Sequence, residues 1–274
     1  SLFVNQNISD LGITATDDIT LTATGATSDI ILAADKSISA AGGDIVLNAG
    51  RHITLTAGTA TNTTLISALL TGTITLNAGQ FAATVGNITM GQNSKIQSVD
   101  GAIALHADNG SGGTITMTDL TVGAGNVEAK ILSGTGNITL TAQTNVLLAT
   151  VATGGTGDLF VTATAGAITD NIVAETANLS GDELTLTAGL NIGATGAGDI
   201  DTTVNAVTAS AGGNIYLNEL AAGVDLIVGV GGTGITTTTG VIVVTVDAGS
   251  LFVNQNISDL GITAPDDITL TATG

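Results

Sequence analysis

Residues 18–23 read Asp18-Ile19-Thr20-Leu21-Thr22-Ala23, an alternation of aliphatic and polar side chains with a period of two. In an extended chain that spacing puts Ile19 and Leu21 on one side and Thr20 and Thr22 on the other. The pattern recurs along the whole sequence: Asp44-Ile45-Val46-Leu47-Asn48-Ala49, His52-Ile53-Thr54-Leu55-Thr56-Ala57, Thr73-Ile74-Thr75-Leu76-Asn77-Ala78, Ala102-Ile103-Ala104-Leu105-His106-Ala107, Asn137-Ile138-Thr139-Leu140-Thr141-Ala142, Glu183-Leu184-Thr185-Leu186-Thr187-Ala188 and Asp267-Ile268-Thr269-Leu270. Shorter copies sit at Asp29–Leu32, Asn87–Met90, Thr114–Met117, Asp158–Val161, Asn214–Leu217, Asp225–Val228 and Val241–Val244. Runs of alternating residues, rich in β-branched side chains and bounded by Gly, Asn and Asp, predict strands joined by turns. No window carries a sustained 3.6-residue apolar stripe, so the chain is expected to be all-β.

A longer repeat frames the short one. Ser1–Gly25 reads SLFVNQNISDLGITATDDITLTATG and Ser250–Gly274 repeats it with one change, Thr16 against Pro265. Residues 1–249 therefore form one full tandem unit, and 250–274 open the next. Pro265 lacks an N–H and fits a turn better than a ladder, which places position 16 in a turn as well.

Composition narrows the architecture. Gly numbers 38, aromatics are 2% and charged residues 10%, so the core must be built from Ile, Leu, Val and Ala in thin layers. The intervals between motif strands are uneven, short from Ile45 to Ile53 and long from Ile242 to Ile268. That suits a parallel β-helix better than a hairpin-built sandwich or barrel. Asn109-Gly110 and Asp100-Gly101 are nearly the only hairpin-type pairs. Coils of about 20 residues predict roughly 12–13 coils, or about 58 Å per tandem unit at ~4.8 Å per coil. Such a right-handed solenoid is elongated and held by nearest-neighbour contacts. No capping segment is evident, so both ends are expected to be uncapped, with the molecule continuing past them.

The net charge of −19, with Lys36, Arg51, Lys95 and Lys130 as the only strong cations, argues against nucleic acid or an anionic lipid surface as partner. Cysteine is absent, which removes disulfides and thiolate metal sites. No apolar run approaches the length of about 20 residues that a membrane-spanning helix needs.

The strings DITLTA, GNITLTA, GGDIVLNAG and HITLTAG resemble the repeats of filamentous-haemagglutinin-type adhesins, giant bacterial surface proteins of which many are exported by two-partner secretion. The resemblance runs along most of the chain on degenerate motifs. It implies a right-handed parallel β-helix forming a long, stiff extracellular fibre at the cell surface. Frequent absence of cysteine in that family suits passage of an unfolded chain through an outer-membrane pore.

Candidate sites reduce to structural readings. The acid pairs Asp17-Asp18 and Asp266-Asp267 precede strands, where Asp serves turns, and strand neighbours point apart. Arg51 and His52 lack an acid cluster nearby in sequence, as a glycan-cleaving β-helix would need. His106 replaces an outward Thr and is expected to face solvent. Gly154-Gly155-Thr156-Gly157-Asp158, Gly231-Gly232-Thr233-Gly234 and Asp108-Asn109-Gly110 miss the spacing of calcium-binding repeats. The pairs Thr20/Thr22, Thr54/Thr56, Thr116/Thr118, Thr139/Thr141, Thr162/Thr164, Thr185/Thr187 and Thr269/Thr271 resemble the threonine arrays of β-helical ice-binding proteins, but uneven spacing is expected to prevent their stacking. Phe3, Phe81, Phe160, Tyr216 and Phe252 are too few for an aromatic sugar platform. The sequence therefore predicts no catalytic, cofactor or metal residues. It predicts a structural fibre or stalk segment whose partners are neighbouring units stacked end to end, sister fibres or a host or partner cell surface. The alternative is a subunit of a self-assembled extracellular filament or sheath.

Overall fold

The structure, a computed structural model, describes residues 2–4, 12–80, 85–108, 112–119, 126–220, 225–259 and 267–273. Among them the chain is all strand and turn, and the strands stack in parallel to form a β-solenoid. Each turn of the N-terminal part contributes one short strand to each of three faces.

The first face stacks Ile19–Ala23, Ile45–Ala49, Ile74–Asn77, Ile103–Ala107, Ile138–Ala142 and Leu159–Ala163 in order. The second stacks Ile30–Leu32, Ile53–Leu55, Ile88–Met90, Ile115–Met117, Val146–Leu148 and Ile168–Asp170. The third stacks Ile13–Ala15, Ser37–Ala40, Thr64–Ala68, Ser94–Ser98, Lys130–Ser133 and Thr150–Thr153. Registers put like on like: Ile45 lies between Ile19 and Ile74, and Leu47 between Leu21 and Leu76. The inward members of these columns are buried and form one continuous aliphatic core. Burying each such side chain contributes about 1.5–3 kcal/mol, which is how a chain with few rings fills its interior.

The expected coil length is corrected. Along the second face the successive partners Ile30, Ile53, Ile88, Ile115, Val146, Ile168, Ile192, Ile215, Ile242 and Ile268 are linked by nine steps of one turn each. The chain therefore makes about nine turns, not 12–13. A turn takes 26 residues from Asp18 to Asp44 and 35 residues from His52 to Asn87. The shortfall in turn number arises because the Ile-Thr-Leu pattern marks two faces of each turn. Ile45 and Ile53 are neighbours around the axis, not neighbours along it.

Above Asp170 the cross-section changes. Leu179–Ala188 and Ile200–Ala211 run straight through the corner between the third and first faces as strands of 10 and 12 residues. Higher still, the first face divides into Leu226–Val228 and Ile235–Thr237, separated by a turn containing the left-handed glycines Gly229, Gly231 and Gly232.

Thr16 lies in the bend between Ile13–Ala15 and Ile19–Ala23, in line with the turn expected there, and Pro265 falls outside the described residues. The two copies of the repeated stretch take different places. Ile19–Ala23 belongs to the first face, under Ile45–Ala49. Ile268–Ala272 lies on Ile242–Val246, which lies on Ile215–Glu219 and runs from the second face at Ile215 into the third at Glu219, above Thr202.

Candidate functional site

Polar residues just before many strands of the first and second faces have a common job. Along the corner leading into the second face, Asp29 Oδ1 accepts from His52 N (3.1 Å), His52 Nδ1 from Asn87 N (3.1 Å) and Asn87 Oδ1 from Thr114 N (3.0 Å). Higher on that corner Asn145 Oδ1 accepts from Ala167 N, Asn191 Oδ1 from Asn214 N and Asn214 Oδ1 from Val241 N. Into the first face, Asp18 Oδ1 accepts from Asp44 N and Asp44 Oδ1 from Thr73 N. A short polar side chain thus satisfies the backbone N–H one turn above it, where the ladder would otherwise leave a donor unpaired at the bend.

This places most of the sequence candidates. Asp17 and Asp18 are exposed at a corner, and Asp18 is occupied with its neighbour's N–H. Asp266 lies outside the described residues, and Asp267 precedes Ile268–Ala272. Arg51 donates from Nε and Nη2 to both oxygens of Asp29 at 2.9 and 2.7 Å. Burial alone would raise the Asp29 carboxyl, but Arg51 and the His52 N–H outweigh it and hold it below the usual range. His52 is pulled below its ordinary value chiefly by burial, and accepting at Nδ1 requires the neutral ring. Arg51, His52 and Asp29 therefore form a corner clamp. His106 points outward from its strand, with Nδ1 3.9 Å from Asp108 Oδ1.

The glycine strings are turns: Gly155, Gly231 and Gly232 all have left-handed φ. Asn109 and Gly110 fall outside the described residues, as do Phe81 and the side chain of Phe3. Phe160 projects from the first face, Tyr216 from the strand after Asn214 and Phe252 from the first face near the C-terminal end, so they share no platform. The threonines correct one premise. Uneven coil length does not prevent stacking, because turns absorb the difference: Thr141, Thr162, Thr187, Ser210, Thr236 and Ser258 lie in one column of the first face. What breaks the two-column array is side-chain identity. Ala104 and Phe160 interrupt the companion column, and Thr54 and Thr116 belong to the second face.

Beside the divided part of the first face lies a groove of about 440 Å³, floored by Thr185, Thr187, Thr208 and Ser210 and flanked by Thr233 and Gln255. It carries hydroxyls, the amides of Gln255 and Asn256 and methyl groups, and none of its lining residues is charged.

A cluster that sequence reading missed lies where the strands lengthen. Glu175, Asp199 and Asp201 each bring a carboxylate oxygen within 4.8 Å of the others. Asp201 is 2% exposed, and its carboxyl is pushed up to about 7, first by burial and then by the charge of Asp199, against donation from Asn218 Nδ2. Asp199 is also raised, by burial and by Glu175, and its Oδ1 is buried without a hydrogen-bond partner. Asp170, raised by burial, accepts from Ile172 N and Asn178 Nδ2 nearby. The one signal in sequence is Asp199-Ile200-Asp201, whose i, i+2 spacing puts two acids on one side of a strand. The trio offers hard oxygen donors of the kind that Ca²⁺ or Mg²⁺ takes, but three ligands fall short of the six to eight that Ca²⁺ collects. With its carboxyl pushed up to about 7, Asp201 holds a proton about half the time near neutral pH, which partly relieves the like charges. At 2% exposure that acid is out of reach of a polymeric substrate.

Among the described residues, no helix is long and apolar enough to cross a membrane. Comparison of the chain with protein-family models, curated proteins and solved structures gives no match.

Proposed function

We propose that the chain is a structural segment of a fibre or stalk in a giant secreted bacterial surface protein, non-enzymatic in itself. In this reading it carries or spaces adhesive regions at the cell surface and contacts neighbouring units end to end. The observation that carries the proposal is the in-register parallel stack over about nine turns, combined with the near-identical stretches at 1–25 and 250–274. A solenoid is stabilised turn on turn, so a tandem array of such units lengthens without a new kind of contact. The acid-rich composition supports the same reading, since a net charge of −19 keeps parallel fibres apart and soluble. The kinship to filamentous-haemagglutinin-type adhesins, and with it the extracellular location, belongs to this proposal and rests on the repeat strings.

A second reading, a filament of separate subunits, would join the chains through the same turn-on-turn stacking. Mass analysis of native material under denaturing conditions separates the two. A single very long chain, many multiples of the repeat unit, is the expected result. Discrete chains of one-unit mass would transfer the proposal to the filament.

A further inference from the structure

Three side-chain atoms among the described residues are buried without a hydrogen-bond partner, and two of them meet at one corner: Asp199 Oδ1 and Asn218 Oδ1. The third, Ser94 Oγ, lies far below, at the start of the third-face strand Ser94–Ser98. The corner is the one between the second and third faces, where Asp199 leads into Ile200–Ala211. Asn218 Nδ2 donates to Asp201 Oδ1 at 3.2 Å, so the Asn218 amide lies against the trio of Glu175, Asp199 and Asp201. Asp201, 2% exposed, accepts no other side-chain hydrogen bond among the described residues, which leaves its Oδ2 unpartnered. Both orphan atoms are acceptors, and a buried acceptor that faces no donor is costly. Among the described residues no Lys or Arg pairs with any of the three acids.

We propose that this corner binds a calcium ion through the carboxylates of Glu175, Asp199 and Asp201, with Asn218 Oδ1 as a neutral fourth oxygen. Oxygens held at 2.3–2.6 Å from one Ca²⁺ lie at most about 5.2 Å apart. The three carboxylate oxygens already fall within 4.8 Å of one another. A water molecule would satisfy one orphan acceptor and leave the charge of three acids in place, whereas a divalent cation answers both. The choice of calcium follows from burial. Mg²⁺ gives up its waters reluctantly and demands a near-ideal octahedron, which the buried Asp201 does not leave room for. Ca²⁺ sheds water more readily, tolerates irregular geometry and completes its six to eight ligands with solvent on the Glu175 side, which is exposed.

The surroundings hold these donors in place. Asp201 N donates to Asn178 Oδ1 at 3.0 Å and Asn178 N to Asp201 O at 2.9 Å, so the backbone that carries the buried carboxylate is pinned to the turn below. Asn178 Nδ2 and Ile172 N both donate to Asp170 Oδ1, which keeps that fourth acid engaged beside the site. Exposure falls from Glu175 through Asp199 to Asp201, a path by which an ion enters from solvent. Glu175 comes from one turn and Asp199 and Asp201 from the turn above, so the ion staples two successive turns where the strands lengthen. One chain contains the whole site, which needs no tandem array. The pH response that Asp201 gives the chain belongs to the metal-free state and is read in chelator.

Calorimetric titration of the chelator-treated 274-residue chain with CaCl₂, paired with thermal melts, tests the site. The expected result is a tightest class of one ion per chain, and a melting temperature higher in about 1 mM CaCl₂ than in EDTA. Glu175→Gln changes the exposed end of the trio, and Asp201→Asn the buried end. Each should weaken calcium binding about tenfold or more and shrink the rise in melting temperature. Both variants should fold in EDTA, since each removes one of three like charges. Asp17→Asn makes the same change of charge at an exposed corner of the lowest turn and should leave affinity and melting shift as in the wild type. Three results would overturn the site: no bound calcium, a calcium effect matched by MgCl₂ or by NaCl of equal ionic strength, or an affinity that either trio variant leaves unchanged. The second would mean that divalent ions only screen the net charge of −19.

Discussion

The turns below Asp170 and the turns above it solve one problem in two ways. Below, three short strands meet at three sharp corners, and interior hydroxyls are tied to the corner backbone. Ser98 Oγ donates to Gly72 O, Ser133 Oγ to Gly101 O and Thr153 Oγ1 to Gly136 O, each bridging to the turn beneath. Above, one corner is straightened into a continuous strand, and acids become buried: Glu219, 0% exposed, faces inward, and Asp201, 2% exposed, is covered on the outward side. Glu219 is satisfied by Thr202 Oγ1 and Val204 N, whereas Asp201 sits close to two other acids. The ladders are thus invariant and the corners negotiable. Lengthening, shortening or straightening a corner leaves the inward aliphatic columns in register.

The largest effect that would break this contrast is in the lower part. Ile74 is fully buried between Ile45 and Ile103. Ile74→Ala should cost about 2–5 kcal/mol, read by denaturant unfolding, because a sheet-locked neighbourhood cannot collapse around the void. A loss below about 1 kcal/mol would mean that the column is not close-packed.

The upper part should respond to pH in the opposite sense from an ordinary salt-bridged carboxylate. Asp201 has a folded value of about 7 against an ordinary 3.8, so the native state holds the proton more tightly. Its contribution is fully present below about 3.8 and is lost as pH rises through about 7. The ceiling on that loss is about 4 kcal/mol at ~1.4 kcal/mol per unit. Asp201→Asn should therefore raise stability at pH 8 by about 2 kcal/mol, with little change at pH 4. An unchanged pH profile in the thermal melts of this variant would contradict the placement of that carboxyl.

How far these regions could be read from sequence differs. Strand character was legible wherever Ile, Thr and Leu alternate, as at Ile138–Ala142, because face polarity is a local property. Coil length was not. Third-face strands such as Ser37–Ala40 and Lys130–Ser133 lack the pattern, so counting motifs mixed intervals around the axis with intervals along it. The acidic cluster was illegible for a related reason: Asp170, Glu175, Asp199 and Asp201 are spread over two turns, and only the corner geometry gathers them. The Asp29–Arg51 clamp was hidden similarly, its partners being 22 residues apart.

The smallest effect concerns the lower corner ladder. His52 must be neutral to accept from Asn87 N, and its depressed folded value means that its contribution is present above the unfolded 6.5 and is lost as pH falls below it. Asn occupies the equivalent position one turn up, at Asn87, and serves the same bond. His52→Asn should flatten the pH dependence below about 6.5 while changing stability at pH 8 by less than about 1 kcal/mol. A variant that retains the wild-type acid limb would show that the ring is not part of the ladder.

The central claim is that length grows by stacked turns, about nine of them for each repeat. Electron-microscopic measurement of chains carrying two, three and four units tests it most directly. Nine turns at ~4.8 Å predict an increment of about 43 Å per unit. An increment of about 58 Å, which twelve shorter coils would give at the same ~4.8 Å rise, would contradict it. So would a compact particle whose long axis does not grow with unit number.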